Sequence, residues 1–413
     1  MNTRIAVGPS EAIDDTRAGL SPLAAHAAMI RLCAAGFVAY CSYSICRAPL
    51  LPLFARELGA GPSLVGLVMG ASTLTGVFLK LPAGALSDLF GRRRLLIIGA
   101  AVFATLPFTY LPVSTLAGLL VLRFVHGSAT AIFGPVASAS LSDIAPAARR
   151  GAWLSTYSTA QGMGQALGPV LAGYLIAAGR FDLAFVMSGL IGLGAPLIVG
   201  TWRDAPSSRA LQRPSWDAFK RGVAEVVGDR LVLITSAAHA AQFVLNGALN
   251  AFLPLYGLEV LNLSGSQLGW LFGLQTVTTL MVRPAIGLLS DRLGRRGVIV
   301  TGLTICSVAV FSLSLTSRLS TVIVVVATYA AGVAITTAAT SAYITDITRR
   351  ARYGAAHGVF GTIYDIGDAL GPISAGILVA RLGYAPMFRV MAAVAVTMAI
   401  AFAITTARRS SYV

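Results

Sequence analysis

Apolar residues in this chain come in long unbroken stretches separated by short polar segments, not at the third-and-fourth spacing of a half-buried helix. Twelve such runs can be read, at about 29–55, 63–86, 95–113, 114–142, 151–178, 183–202, 231–256, 266–289, 297–316, 319–345, 354–380 and 385–406. A helix needs about 20 apolar residues to cross a bilayer, and runs longer than that are expected to tilt or protrude. The pattern therefore predicts an all-α membrane protein of twelve transmembrane helices. The longest connection, 203–230, is polar and mixed in charge and divides the runs into six and six. The expected organisation is a cytoplasmic tail over 1–28, a six-helix bundle over 29–202, a cytoplasmic linker over 203–230, a second six-helix bundle over 231–406 and a tail over 407–413. The first residues carry Arg4, Glu11, Asp14, Asp15 and Arg17, which reads as a polar tail and not as the basic-then-apolar pattern of a cleaved signal.

Composition agrees with that reading. Of 413 residues, 56% are hydrophobic and only 11% charged, against about 25% charged in soluble domains; the mean hydropathy is +0.78. An ordinary soluble enzyme, a disordered chain and a disulfide scaffold are all excluded. Cys33, Cys41, Cys46 and Cys306 sit inside apolar runs without metal-ligand spacing, so no metal, cofactor or disulfide framework is expected. A formal charge of +15 would suggest a nucleic-acid partner in a soluble protein. Here its placement matters more, because loops on the cytoplasmic side of a membrane collect Lys and Arg. With the N-terminus inside, 22 of the 31 basic residues fall on inner segments and five on outer ones. Both termini are thus expected in the cytoplasm, and no nucleic acid is expected as a partner.

The two halves repeat one another. Gly84-Ala-Leu-Ser-Asp88-Leu-Phe-Gly91-Arg92-Arg93 returns as Gly287-Leu-Leu-Ser-Asp291-Arg-Leu-Gly294-Arg295-Arg296 at an offset of 203. Ala166-Leu-Gly168-Pro169 returns as Ala369-Leu-Gly371-Pro372, and Asp143-Ile144 as Asp346-Ile347, at the same offset. Leu51-Pro52-Leu53 with Glu57 matches Leu253-Pro254-Leu255 with Glu259 at 202. Chance similarity between Leu/Ala/Gly-rich stretches is common, but a nearly constant offset over four regions is not. Parallel repeats of this kind belong to transporters whose halves rock about a central site.

Three motifs in this frame resemble the major facilitator superfamily, over nearly the whole chain and closest to its twelve-span drug:proton antiporter branch. The loop Gly84-x-x-x-Asp88-x-x-Gly91-Arg92-Arg93 looks like the family's signature loop, with Leu89 in place of the usual basic residue; Arg292 supplies it in the second copy. Arg123-x-x-His126-Gly127 resembles the conserved-arginine motif of that branch, with His126 where Gln is usual. Gly164-x-x-x-Gly168-Pro169-x-x-Ala172-Gly173 resembles the antiporter motif, with Ala172 and Ser155 each in place of a Gly; Gly367, Gly371, Pro372 and Gly376 are its counterparts in the second half. The resemblance implies a monomer in a bacterial inner membrane, and a conformational latch built from Gly84, Asp88, Gly91 and Arg92 and again from Asp291, Gly294 and Arg295. In that latch Asp88 would accept bonds from a helix N-terminus of the opposite half, favoured by the helix dipole. The spaced glycines of span five suit close helix packing, which is the simpler reading of that motif.

Charges inside the spans carry the remaining signal. A mid-bilayer charge costs about 2.5–3.5 kcal/mol on insertion scales, so each should face a cavity or a partner. Arg47, Lys80, Arg123, Arg283, Asp365 and Asp368 are such residues, with Lys80 and Arg283 at equivalent repeat positions. Asp365 and Asp368 are three apart and so share a helix face. Spans two and eleven touch in the fold the resemblance implies. There Lys80 would pair with Asp365 or Asp368 in one state and part from it in another, so that protonating the aspartate couples a proton to the rocking; a permanent structural pair is the alternative. Arg123 and His126 also share a face, and His126 is either a proton relay or a neutral histidine in a helix contact. His239, Gln242, Asn246 and Asn250 follow near-helical spacing and could line the cavity.

No phosphate-cradling glycine loop and no metal-ligand cluster accompanies these residues, so an enzyme is not expected. The leading expectation is secondary active transport, proton-coupled efflux of a small organic compound, with protons, the substrate and the lipid bilayer as partners. Uptake symport or organic-anion exchange is the alternative, and a non-transporting membrane sensor a third.

Overall fold

The computed structural model describes residues 21–201, 224, 226–348 and 353–407, and at 81–86, 88, 89, 147, 288, 353 and 354 the backbone alone. Of the expected linker over 203–230, residues 203–223 and 225 lie outside the described residues, as do the terminal segments 1–20 and 408–413.

Ser21 accepts a hydrogen bond from the Ala24 amide at 3.3 Å, and Pro22 occupies the first helical position, where its missing N–H costs nothing. The first helix, α1, consequently runs Pro22–Ile45 and takes in residues assigned by pattern to the tail. It stops short of the expected end as well. Pro49 and Pro52 lack amide donors, so the single run 29–55 becomes α1 and a short α2 (Leu50–Glu57), with residues 46–49 between them. The chain continues as α3 (Pro62–Phe90), α4 (Arg92–Thr109), α5 (Leu116–Ile144), α6 (Arg150–Ala177) and α7 (Phe181–Gly200). The second half comprises α8 (Arg230–Glu259), α9 (Gly265–Leu293), α10 (Arg295–Leu313), α11 (Leu319–Ile347), α12 (Tyr353–Leu382) and α13 (Tyr384–Ala407). Side-chain caps mark several starts: Thr115 on α5, Asp229 on α8, and a Ser264–Gln267 capping box on α9.

With α1 and α2 counted as one span, twelve helices cross in two bundles of six. Among the described residues, nine spans are long and apolar enough to cross a membrane by length and composition. The other three helices are more polar for identifiable reasons. In α4 the triplet Arg92–Arg94 opens a helix of only 18 residues. Ser155, Thr156, Ser158, Thr159, Gln161 and Gln165 lie in α6, and Gln267, Gln275, Thr276, Thr278 and Thr279 in α9.

The packing repeats as the sequence does. Helix α1 packs on α6 and α7, α3 on α5, and α4 on α7; correspondingly α8 packs on α12 and α13, α9 on α11, and α10 on α13. Between bundles, α3 lies on α12 and α6 on α9. One end of the molecule, carrying Arg92–Arg94 and Arg295–Arg296, is rich in arginine; the other is poor in it. At the arginine-poor end one apolar core runs through both bundles, joining Leu51, Val65 and Val68 to Leu249, Phe252 and Leu268. At the arginine-rich end the cores are separate: Leu96, Phe133 and Trp153 stay within the first bundle, and Ile299, Tyr343 and Phe402 within the second. Among the described residues, helices α5 and α11 make no substantial contact with the opposite bundle. The halves therefore close at the arginine-poor end and part toward the arginine-rich one.

Candidate functional site: a charged crevice between the bundles

The break between α1 and α2 leaves Arg47 in irregular backbone within the membrane. Such backbone is tolerated where it lines a cavity. Arg47 Nη2 donates to Asp368 Oδ2 at 3.0 Å. The same carboxylate accepts from Thr73 Oγ1 at 3.2 Å and, through Oδ1, from Asn246 Nδ2 at 3.2 Å. One turn along α12, Lys80 Nζ donates to Asp365 Oδ1 at 2.7 Å and Oδ2 at 2.5 Å. Helical side chains lean toward the N-terminus, so Lys80 reaches back along α3 toward the closed end to meet Asp365. Its ammonium also lies 5.5 Å from the ring centre of Tyr364. Each pair joins a cation of the first bundle to a carboxylate of the second. The carboxylates are the more enclosed partners, 8% exposed at Asp365 and 9% at Asp368 against 34% at Lys80 and 29% at Arg47.

Both pairs stand on the wall of a cavity of about 410 Å³, within the usual range for small-molecule sites. Tyr40, Tyr43, Phe243 and Tyr364 supply aromatic surface to it, and Ser72, Thr73, Gln161 and Gln165 supply hydrogen-bonding groups. Toward the closed end its roof is backbone on backbone: a side chain at Gly66 would strike the Pro372 carbonyl, and one at Gly376 the Pro62 carbonyl at 2.6 Å. Lower down, a Cβ at Gly361 would meet only Tyr364, at 3.8 Å. That is the level at which the bundles separate.

Arg123, one of the six in-membrane charges, and its neighbour His126 were candidates for this wall and are not on it. Arg123 and His126 are 0% exposed. Arg123 Nη2 donates to Ser72 Oγ at 2.6 Å and its guanidinium lies 5.9 Å from the Tyr43 ring centre, so it touches the crevice only through those two wall residues. His126 Nδ1 lies 3.1 Å from the Tyr110 hydroxyl, packed among Tyr43 and Tyr110. The helix-contact reading of His126 fits this setting, and no relay to the crevice passes through it here. The reason is the rotation of α5, which turns this face into its own bundle. Arg283, by contrast, is exposed on α9 with no described carboxylate against it. Of the span-seven polar residues, Asn246 joins the site, whereas His239 and Gln242 are buried behind it.

The signature loops reduce to one residue each, Gly91 (φ +90°) and Gly294 (φ +85°), left-handed positions that glycine alone adopts without strain. The described ion pairs of their arginines lie within a bundle. Arg92 pairs with Asp143 at 2.6 Å, and Arg295 with Asp291 at 2.5 Å and Asp346 at 2.8 Å, each within its own bundle. The described ion pairs of Arg92, Asp291 and Arg295 thus form a brace inside each bundle. The side chains of Gly84's neighbourhood and of Asp88 lie outside the described residues, and the latch expected of Asp88 with them.

The antiporter-type glycines have a repeated duty. A side chain at Gly164 would strike the Phe37 carbonyl of α1, and one at Gly168 would meet Ser44 Cβ at 2.6 Å; at Gly367 and Gly371 it would strike the Ala240 and Val244 carbonyls of α8. Gly173 and Gly376 do the same across the bundle boundary, against Gly265 on α9 and Pro62 at the start of α3. Pro169 and Pro372 sit inside their helices beside these contacts. The Pro169 carbonyl is itself pressed against Gly269, and that of Pro372 against Gly66.

This architecture has counterparts. The family model described as Major Facilitator Superfamily matches residues 32–266 and again 231–412. The chain belongs to the major facilitator superfamily. Among its relatives is an uncharacterized MFS-type transporter of Methanocaldococcus jannaschii, 27% identical over 86% of this chain and 92% of that one. The multidrug resistance protein MdtH of Aeromonas hydrophila is 26% identical over 56% of this chain and 57% of its own. Among solved structures, an inward-facing, unoccupied bacterial homolog of the lysosomal transporter Spinster superposes with a TM-score of 0.76, at 18% identity and over 94% and 98% of the two chains. This superfamily member is an integral, multi-pass membrane protein with the fold of a secondary transporter.

Sequence patterns pass over several residues of the superfamily site. Thr73 and Phe243 look like ordinary members of apolar helices, and nothing in their spacing marks them. Asp143 and Asp346 were legible only as repeat markers; that they share the 203 offset with Arg92 and Arg295 is the signal that pairs them.

Proposed function

We propose that this protein exports a small organic compound by proton-coupled antiport, with the arginine-rich end in the cytoplasm and the crevice therefore open inward. The carrying observation is the Lys80–Asp365 ion pair, which spans the two bundles at the level where they part. A proton on Asp365 removes the charge that holds Lys80, so the proton and the inter-bundle closure compete for one carboxylate. Asp368, held by Arg47, Thr73 and Asn246, positions the neighbouring turn. Antiport follows if the substrate enters the inward-open crevice only when Asp365 has lost its proton. The multidrug names of the MdtH relative and of the NorA quinolone resistance protein of Staphylococcus aureus, 23% identical over 35% of this chain, lean toward export.

Inverted vesicles containing the purified protein test this. Substrate-driven proton release is expected, and Asp365→Asn should reduce proton-driven flux by about tenfold or more, equivalent to about 1.4 kcal/mol of coupling, while leaving substrate equilibration down its own gradient. Unchanged proton coupling in Asp365→Asn removes the reading. Proton movement in the same direction as substrate would replace export by uptake symport.

A further inference from the structure

Two cations line the cavity, Arg47 and Lys80, and they are engaged to different degrees. Lys80 Nζ donates to both oxygens of Asp365, and the Tyr364 ring centre lies 5.5 Å from it. Arg47 gives a single nitrogen, Nη2, to Asp368 at 3.0 Å. Among the described residues its Nε and Nη1 make no hydrogen bond. A guanidinium carries five N–H donors in a planar fork, so most of what Arg47 can donate is unused.

The unused edge faces the crevice and not lipid. Arg47 stands between the buried Cys46 and Ala48, in the break between α1 and α2, and its partner Asp368 belongs to the opposite bundle. A side chain bonded across the bundle boundary, and forming the wall of the space there, owes its 29% exposure to that space.

The carboxylates behind the two cations are covered. Asp368 has Arg47 and Thr73 on Oδ2 and Asn246 on Oδ1, and Asp365 has Lys80 on both oxygens. No third carboxylate lines the cavity among the described residues. The wall is neutral in sum, but the charge it presents to a molecule inside is that of the cations. Aromatic surface lies alongside. Asn246, which holds Asp368, is three residues from Phe243 and shares its helix face; Phe243 in turn lies 4.7 Å from the Tyr364 ring, and both rings line the cavity.

We propose that the free edge of Arg47 anchors a carboxylate of the substrate, carried on an aromatic body that packs against Phe243 and Tyr364. A planar carboxylate can accept two parallel N–H bonds from this fork, which an ammonium cannot do at all and an amide only in part. A cationic group would instead have to displace Arg47 or Lys80 from an enclosed carboxylate. Asp368, fixed by Thr73 and Asn246, holds the guanidinium in place for the contact. Asp368 also lies one turn nearer the closed end than Asp365, so the carboxylate binds deepest, beneath the contact of Gly66 with the Pro372 carbonyl. The inference deepens the reading of the crevice as a substrate site and is independent of transport direction and of the proton.

The test is equilibrium binding by calorimetry to the full chain in phosphatidylcholine nanodiscs at neutral pH, with naphthoate, naphthamide and naphthylmethylammonium as probes. Naphthoate is expected to bind about tenfold tighter than the amide, about 1.4 kcal/mol, with the ammonium weakest. Arg47→Gln should bring naphthoate to the affinity of the amide while the amide itself still binds. Arg47→Lys should keep part of the preference as a point charge. Arg180→Gln, which removes an equal charge from an outer pair with Asp182, should keep all of it. Equal binding of amide and anion, preference for the ammonium, or no binding of any probe overturns the proposal. So does a preference that survives Arg47→Gln or that Arg180→Gln abolishes as well. Loss of amide and anion alike in Arg47→Gln overturns it too, since Arg47 would then be support for the fold and not a contact of the carboxylate. No proton gradient enters this measurement, so its failure leaves proton release from inverted vesicles as a separate question. Absent proton coupling there would leave carboxylate binding here intact.

Discussion

Lys80 and Asp365 illustrate how unequal the two ends of one ion pair can be. Lys80 keeps 34% of its side chain exposed and Asp365 only 8%. Removing the lysine strands an enclosed carboxylate, whereas removing the aspartate strands an ammonium that can still reach water. Breaking an enclosed pair costs several kcal/mol and an exposed one little, so Lys80→Ala should destabilise by about 1–3 kcal/mol and Asp365→Ala by less. The double variant should melt closer to the parent than Lys80→Ala does, since it leaves no unpaired charge. Thermal unfolding of the purified protein in detergent reads all three; a double variant less stable than Lys80→Ala would contradict the argument. The same residue-scale view separates the legible from the illegible. Lys80 and Asp365 stood out in the sequence because charge within apolar runs is costly wherever it points. Thr73, which shares Asp368 with Arg47, did not, since a threonine hydroxyl is at home in any helix, where it can bond the preceding turn.

At the scale of elements, the glycine-bearing faces of α6 and α12 decide how closely helices approach. Adding bulk to a packed contact costs about 1–3 kcal/mol. Gly371→Val, which would drive a methyl into the Val244 carbonyl, is expected to lower the melting temperature and the yield of monodisperse protein. Gly361→Ala on the same helix, with only Tyr364 at 3.8 Å, should leave both unchanged and gain helix propensity. Equal effects of the two would show that packing against α8 is not what the motif glycine serves. Helix number and type were readable from run length alone. The break at residues 46–49 was signalled by Pro49 and Pro52, yet one continuous apolar run masked it, because hydropathy registers burial and not backbone continuity.

For the whole molecule, the arrangement predicts a sidedness. The Arg56–Glu259 pair at 3.0 Å, with Tyr384 on the other Glu259 oxygen at 2.7 Å, bridges the bundles at the closed end. At the open end the described ion pairs stay within a bundle. In a background with Cys33, Cys41, Cys46 and Cys306 replaced, Ser138→Cys on the crevice wall should react with a membrane-impermeant thiol reagent from the arginine-rich face. From the other face it should react about tenfold more slowly. Exchanging the outer charges separately, as Arg56→Glu or Glu259→Arg, should raise labelling from the arginine-poor face, and combining them should restore the parent pattern. Labelling indifferent to face would mean that this closed end is not a barrier.

The amino-acid sequence by itself determined that twelve apolar helices form two repeated bundles, that arginines gather at one end, and that six charges lie within the membrane. Those properties are local or additive: run length, an offset between copies, and the count of basic residues per loop can all be read along the chain. Only the tertiary structure decided which carboxylate meets which cation, that Arg123 and His126 are sealed while Arg283 is left open, and which end is shut. These depend on the rotation of each helix about its axis and on the distance between two bundles, and a rotation of one position around a helix moves a side chain by about 100°. Spacing along a helix shows which residues share a face, but it is packing against the neighbouring helices that determines where that face looks.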